Sequence, residues 1–76
     1  MELEPRREID LRGKECPFTL LEIGEALRGL ENGDLLMVTT DRDSTVEDVK
    51  AWCHRTGVEV VDTRSQGEIR IYLRKA

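Results

Sequence analysis

The sequence predicts an α/β fold of the α+β two-layer sandwich type: a four-stranded mixed sheet covered by two helices, in the order β-α-β-α-β-β. Three observations carry that expectation. Two segments, 17–30 and 44–55, repeat apolar residues at spacings of three and four, which places them on one face of a helix. Between them, Leu35-Leu36-Met37-Val38 is an apolar run of the kind an interior strand carries. The end of the chain holds two short runs, 58–64 and 68–74, around Ser65-Gln66-Gly67, the pattern of a hairpin. Right-handed crossovers then put both helices on one face of the sheet and leave the other face to water.

Residues 1–6 read as a loose start. Ile9 and Leu11 alternate with polar neighbours and predict a short first strand. The first helix is expected from Pro17 to about Leu30, with Leu20, Ile23, Leu27 and Leu30 on its inner face. Proline suits the first helical position, because its missing N–H would go unpaired there anyway. Gly24 and Gly29 weaken this helix by up to ~1 kcal/mol each, and Asn32-Gly33 ends it as a turn. Leu35 to Thr40 forms the second strand. Ser44-Thr45-Val46-Glu47 reads as a capping box opening a second helix that stops at Gly57. Val46, Val49 and Cys53 face its core side, with Trp52 half-buried beside them. Val58 to Arg64 and Glu68 to Arg74 form the closing strands. Ile69, Ile71 and Leu73 point inward; Arg70, Tyr72 and Arg74 face the open side.

At 76 residues the chain is expected to form one domain, 1–76, with one core and no sizeable cavity, so its chemistry belongs on the surface. A net charge of −4 argues against general nucleic-acid binding, which neutralises phosphates with Lys and Arg. Two basic clusters read as solvated surface: Arg6, Arg7, Arg12 and Lys14, and Arg64, Arg70, Arg74 and Lys75. The longest aliphatic run falls far short of the ~20 residues of a membrane helix, and Arg6-Arg7 lacks the apolar stretch of an export signal. Two cysteines are too few for a secreted disulfide framework. A reducing cytoplasm is the expected compartment.

The most informative pair is Cys16-Pro17. With Pro17 opening the helix, Cys16 falls at the N-cap or just before it. There the helix dipole and the free first-turn N–H groups favour thiolate, the nucleophilic form. A lone cysteine can equally be a small buried hydrophobe. A Cys-His hydrolase would need His54 beside Cys16, but parallel helices put His54 about 15 Å along the second helix. Cys53 lies about 13 Å along it, while a disulfide needs Cα atoms within about 7 Å; it reads as a core cysteine. Two cysteines and a distant histidine do not make a zinc site. Asp41 and Asp43 suit turn and cap chemistry. Cys16 is left as a solitary thiol, poor for hydrolysis but suited to carrying sulfur as a persulfide.

The stretch Asp10-Leu11-Arg12-Gly13-Lys14-Glu15-Cys16-Pro17, the helix after it, Asn32-Gly33-Asp34, the Asp43–Thr45 segment, Cys53 and the hairpin resemble the TusA/SirA-like sulfur-carrier family over residues 8 to 75. The resemblance implies a sandwich like the C-terminal domain of bacterial translation initiation factor three. It implies a sulfurtransferase-type carrier rather than a conventional turnover enzyme, with Cys16 as persulfide carrier and Pro17 as its positioning residue. A cysteine desulfurase or rhodanese-like donor and a protein acceptor are the implied partners. The pathways would be tRNA thiolation, molybdenum-cofactor assembly or sulfur oxidation. No cofactor, metal or membrane is implied. The family motif Cys-Pro-x-Pro ends here in Thr19, whose N–H and hydroxyl could reach the Cys16 thiolate. Arg12 and Lys14 are expected to receive an acidic partner surface. Two other readings are a thiol-based regulatory or protein-binding module, and RNA binding by Arg70, Tyr72 and Arg74 on the open face.

Overall fold

The structure is a computed structural model and describes residues 4–14 and 18–75. The elements follow the expected order: β1 (Arg7–Asp10), α1 (Phe18–Arg28), β2 (Leu35–Thr40), α2 (Asp43–Thr56), β3 (Glu59–Gln66) and β4 (Glu68–Arg74). The sheet order is β1-β2-β4-β3. β1 and β2 are parallel, and β4 is antiparallel to both β2 and β3. Three strands therefore share one direction and β4 opposes them, the mixed sheet that two crossovers and a hairpin require.

The core fills the space between sheet and helices. Leu36 and Val38 of β2, Ile71 and Leu73 of β4, and Leu11 meet Ile23, Ala26 and Leu27 of α1 and Val46, Val49 and Cys53 of α2. Trp52 is half-buried at the core margin, as expected. The inner face of α1 is turned from the predicted stripe. Thr19 and Ala26 are buried with Ile23, Leu27 and Leu30, while Leu20 lies half-buried at the flank. Leu20 faces the groove toward Trp52, so the neighbouring helix draws it sideways.

The second helix starts earlier than the capping box placed it. Its N-cap is Arg42, in extended conformation and without a side-chain capping bond. Ser44 thus lies inside the first turn, and the expected Ser44–Glu47 box does not form. A side-chain turn at the end of β2 accounts for the shift: the Arg42 N–H donates to Thr40 Oγ1 at 3.3 Å, and Val46 N–H closes the first turn on Arg42 O at 3.4 Å. This start also buries Thr45 beside Val46. At the other end Gly57 takes φ 84°, the left-handed region, and its N–H donates to Cys53 O.

β3 runs from Glu59 to Gln66, longer at its end than expected, so the hairpin turn shrinks to Gly67. A bulge between Val60 and Asp62 inserts one extra residue. Val60 packs on the core while Asp62 stands opposite Tyr72. The open face differs from expectation at Tyr72, which is only 4% exposed. The Arg64 guanidinium covers its ring, 5.1 Å from the centroid. Arg64 also pairs with Asp62, Arg70 with Glu68, and Arg74 with Glu59. With its aromatic ring covered and its arginines answered by carboxylates, this face offers no stacking platform for bases.

Candidate functional site

The β1–α1 connection leaves the sheet at the carboxyl end of β1, beside the carboxyl end of β2. Open α/β sheets present their sites at such ends. Its first half is a tight turn. Leu11 N–H donates to Thr39 O at 2.7 Å and Lys14 N–H to Leu11 O at 3.1 Å. Gly13 takes φ 78°, which a side chain rarely adopts, and its N–H reaches Asp41 Oδ1 at 3.4 Å. Arg12 folds back on Asp10 through its backbone N–H and its guanidinium and continues to Glu68 at 3.1 Å. The hydrogen bonds from the Arg12 side chain, then its backbone, hold the Asp10 carboxyl down at about 2. Asp10-Leu11-Arg12-Gly13-Lys14 is thus fixed from both strands before the chain turns toward α1.

Cys16 and Pro17, the residues singled out from the sequence, lie outside the described residues, as does Glu15. Their described neighbours are Lys14 and Phe18. Arg12 and Lys14, expected to receive an acidic partner surface, both carry ion pairs within the chain, Arg12 with Asp10 and Glu68 and Lys14 with Glu22. Paired charges steer a partner less than free ones.

Thr19 belongs to the first turn of α1. It is wholly buried, and its hydroxyl has no hydrogen-bond partner among the described residues. The hydroxyl is sealed in the core, and the expected bond from Thr19 to Cys16 falls on a residue outside the described ones. An unpaired buried hydroxyl costs about 1–3 kcal/mol, so Thr19→Val should raise unfolding stability by about 1–2 kcal/mol in urea titration. An unchanged or lower midpoint would show that the hydroxyl has an acceptor.

The other candidates sort as the sequence indicated. Cys53 is a free thiol, 1% exposed, and burial pushes it up to about 11 from its ordinary 9.0. Because the folded thiol is the weaker acid, its contribution to stability is full below about pH 9 and is lost as pH rises toward 11. Cys53→Ala should flatten that part of the alkaline stability loss, read as the difference between the two proteins' denaturation midpoints. Parallel slopes would contradict the burial. His54 is exposed in the last turn of α2. No cluster of metal-ligating side chains occurs among the described residues, and no helix there is long and apolar enough to cross a membrane.

Sequence reading missed an exposed pair. Phe18 and Leu21 are 66% and 62% exposed, the large exposed hydrophobics among the described residues. With Ile9 and Ala26 they line a groove of ≈ 400 Å³ between β1 and α1, edged by Arg7, Glu22 and Glu25. Their spacing of three, off the inner stripe, was the available signal.

The fold and the turn at the carboxyl end of β1 define a class: small α/β sandwiches that present a βα loop. The crystal structure of a SirA-like protein from Desulfitobacterium hafniense matches with a TM-score of 0.76 at 22% identity, over 90% of this chain and 95% of that one. The family model for sulfurtransferase TusA matches residues 7–75, and the chain belongs to that family. A protein of Archaeoglobus fulgidus described as a candidate sulfur carrier protein is 33% identical over 67 residues, 88% of this chain and 76% of its own length. The sulfur carrier protein TusA of Allochromatium vinosum is 28% identical over 61 residues, 80% of each chain.

Proposed function

We propose that residues 1–76 act as one TusA-like unit that carries sulfane sulfur on Cys16 and relays it between proteins in the cytoplasm. The observation that carries this reading is the family match across 7–75, which spans Cys16-Pro17. The fixed turn before these residues supports it, since a relay thiol must be presented to two partners in succession. The step is an exchange without net oxidation. The Cys16 thiolate attacks the outer sulfur of a donor persulfide, the donor's S–S bond breaks, and the donor thiolate leaves. Cys16 then holds the persulfide until an acceptor thiolate takes its outer sulfur. Pro17 positions the thiol. A cysteine desulfurase or rhodanese-like protein suits the donor role, and tRNA thiolation, molybdenum-cofactor assembly or sulfur oxidation the pathway.

The test is incubation with a cysteine desulfurase and labelled cysteine, and separately with glutathione persulfide, followed by intact mass and peptide mapping. One added sulfur on Cys16 is the expected result. A thiol-based regulatory or binding module would show no stable sulfur gain.

A further inference from the structure

We propose that the outer edge of β1 and the groove beside it receive an extended segment of the protein that exchanges sulfur with Cys16, added to the sheet as a further strand. The partner's identity in this proposal rests on the carrier reading above; the docking geometry does not. β1 is an edge strand, paired among the described residues with β2 alone. The β1–β2 register, continued by Leu11 N–H donating to Thr39 O at 2.7 Å, turns the N–H and C=O groups of Arg7 and Ile9 toward β2. Backbone groups alternate sides along a strand, so Glu8 and Asp10 turn theirs to the open edge, a template for another strand. The side chains of Arg7 and Ile9, before and between these two residues, line the groove with Phe18 and Leu21. A strand added along Glu8 and Asp10 would therefore place every second side chain beside Arg7 and Ile9, over the exposed apolar pair, whose Phe18 stands two positions after Cys16 in the sequence. Main-chain bonds would supply affinity and alternate side chains the choice of partner.

The charges say what that strand is. A second copy of this chain does not fit. Antiparallel registers that join the outward backbones put Glu8 opposite Glu8, Glu8 opposite Asp10, or Asp10 opposite Asp10, and like charges directly opposite are destabilising. On the open face Asp10 is already answered by Arg12, whereas Glu8 is exposed and makes no direct ion pair among the described residues. Glu25 on the groove rim is likewise exposed. The complementary segment alternates, with aliphatic residues toward Phe18 and Leu21 and basic residues toward Glu8.

The probes are acetyl-Lys-Val-Lys-Val-Lys-Val-Lys-amide and its counterpart with Glu in place of Lys. The lysine peptide should slow amide exchange at Glu8 and Asp10 and bind more tightly than the glutamate peptide. A Phe18→Ala, Leu21→Ala double variant, both sites exposed and its folding checked by urea titration, should weaken binding about tenfold or more. The lysine peptide should also slow sulfur transfer from a cysteine desulfurase to Cys16 while leaving loading by glutathione persulfide unchanged. Absent protection at Glu8 and Asp10, or equal binding by the double variant, overturns the docking site. Protein-donor transfer that is absent, or indifferent to the peptide, overturns the partner assignment while persulfide loading keeps the carrier reading standing. Failure of glutathione persulfide to load Cys16 overturns the carrier reading and the partner assignment together.

Discussion

Cys16→Ser should reduce sulfur acceptance to background from both a cysteine desulfurase and glutathione persulfide. The loss is expected to be all-or-none because the proposed chemistry is a sulfur–sulfur exchange. A serine hydroxyl stays protonated at neutral pH and forms no persulfide, whereas a thiol is a usable nucleophile through its thiolate fraction. The second cysteine offers no substitute. Cys53 is buried in the core, and burial holds its thiol up at about 11, so at neutral pH it is both inaccessible and protonated. The fold should survive the change, since the described core closes around Leu11, Ile23, Leu36, Ile71 and Leu73. The measurement is intact mass after loading, with urea unfolding run in parallel. Sulfur retained by a normally folded Cys16→Ser protein would remove Cys16 from the role. Loss of sulfur together with loss of the unfolding transition would instead mark Cys16 as structural.

The element order was legible because each element carries its own period. The apolar run 35–38 has few other uses than an interior strand, and Val46, Val49 and Cys53 sit at helical spacing and are all buried as read. Periodicity was blind to terms set between elements. Helix α2 starts at Asp43 because Thr40 makes a side-chain turn at the strand end, which outweighed the Ser44–Glu47 box. Tyr72 is covered because the bulge in β3 brings Asp62 and Arg64 alongside it, and a bulge leaves no mark in an alternating pattern. Thr19 looked like a first-turn polar residue, yet the helix turns it into the core. The pairing of Arg12 with Glu68 joins residues 56 apart in sequence, beyond the reach of local reading. The Cys16-Pro17 pair was found by chemistry and resemblance, and the groove at Phe18 and Leu21 only by the structure.

Ile23→Ala should cost about 2–5 kcal/mol of unfolding free energy, the usual range for truncating a fully buried isoleucine. Ile23 is 0% exposed and lies at the centre of the inner face of α1, flanked by Thr19, Ala26 and Leu27. Its loss leaves a cavity that Ala26 and Thr19 cannot fill: Ala26 is too short, and Thr19 already carries a hydroxyl without a partner among the described residues. A chain of 76 residues has roughly 4–11 kcal/mol in total, so this one change should remove a large share. Leu21, two residues earlier on the same helix, is 62% exposed, and Leu21→Ala should shift stability by no more than about 0.5 kcal/mol. The two variants separate what α1 does for the fold from what it does for a partner. Urea titration of both decides. A cost below about 1 kcal/mol for Ile23→Ala, or similar costs at the two positions, would mean that α1 does not seat its Ile23 face against the sheet.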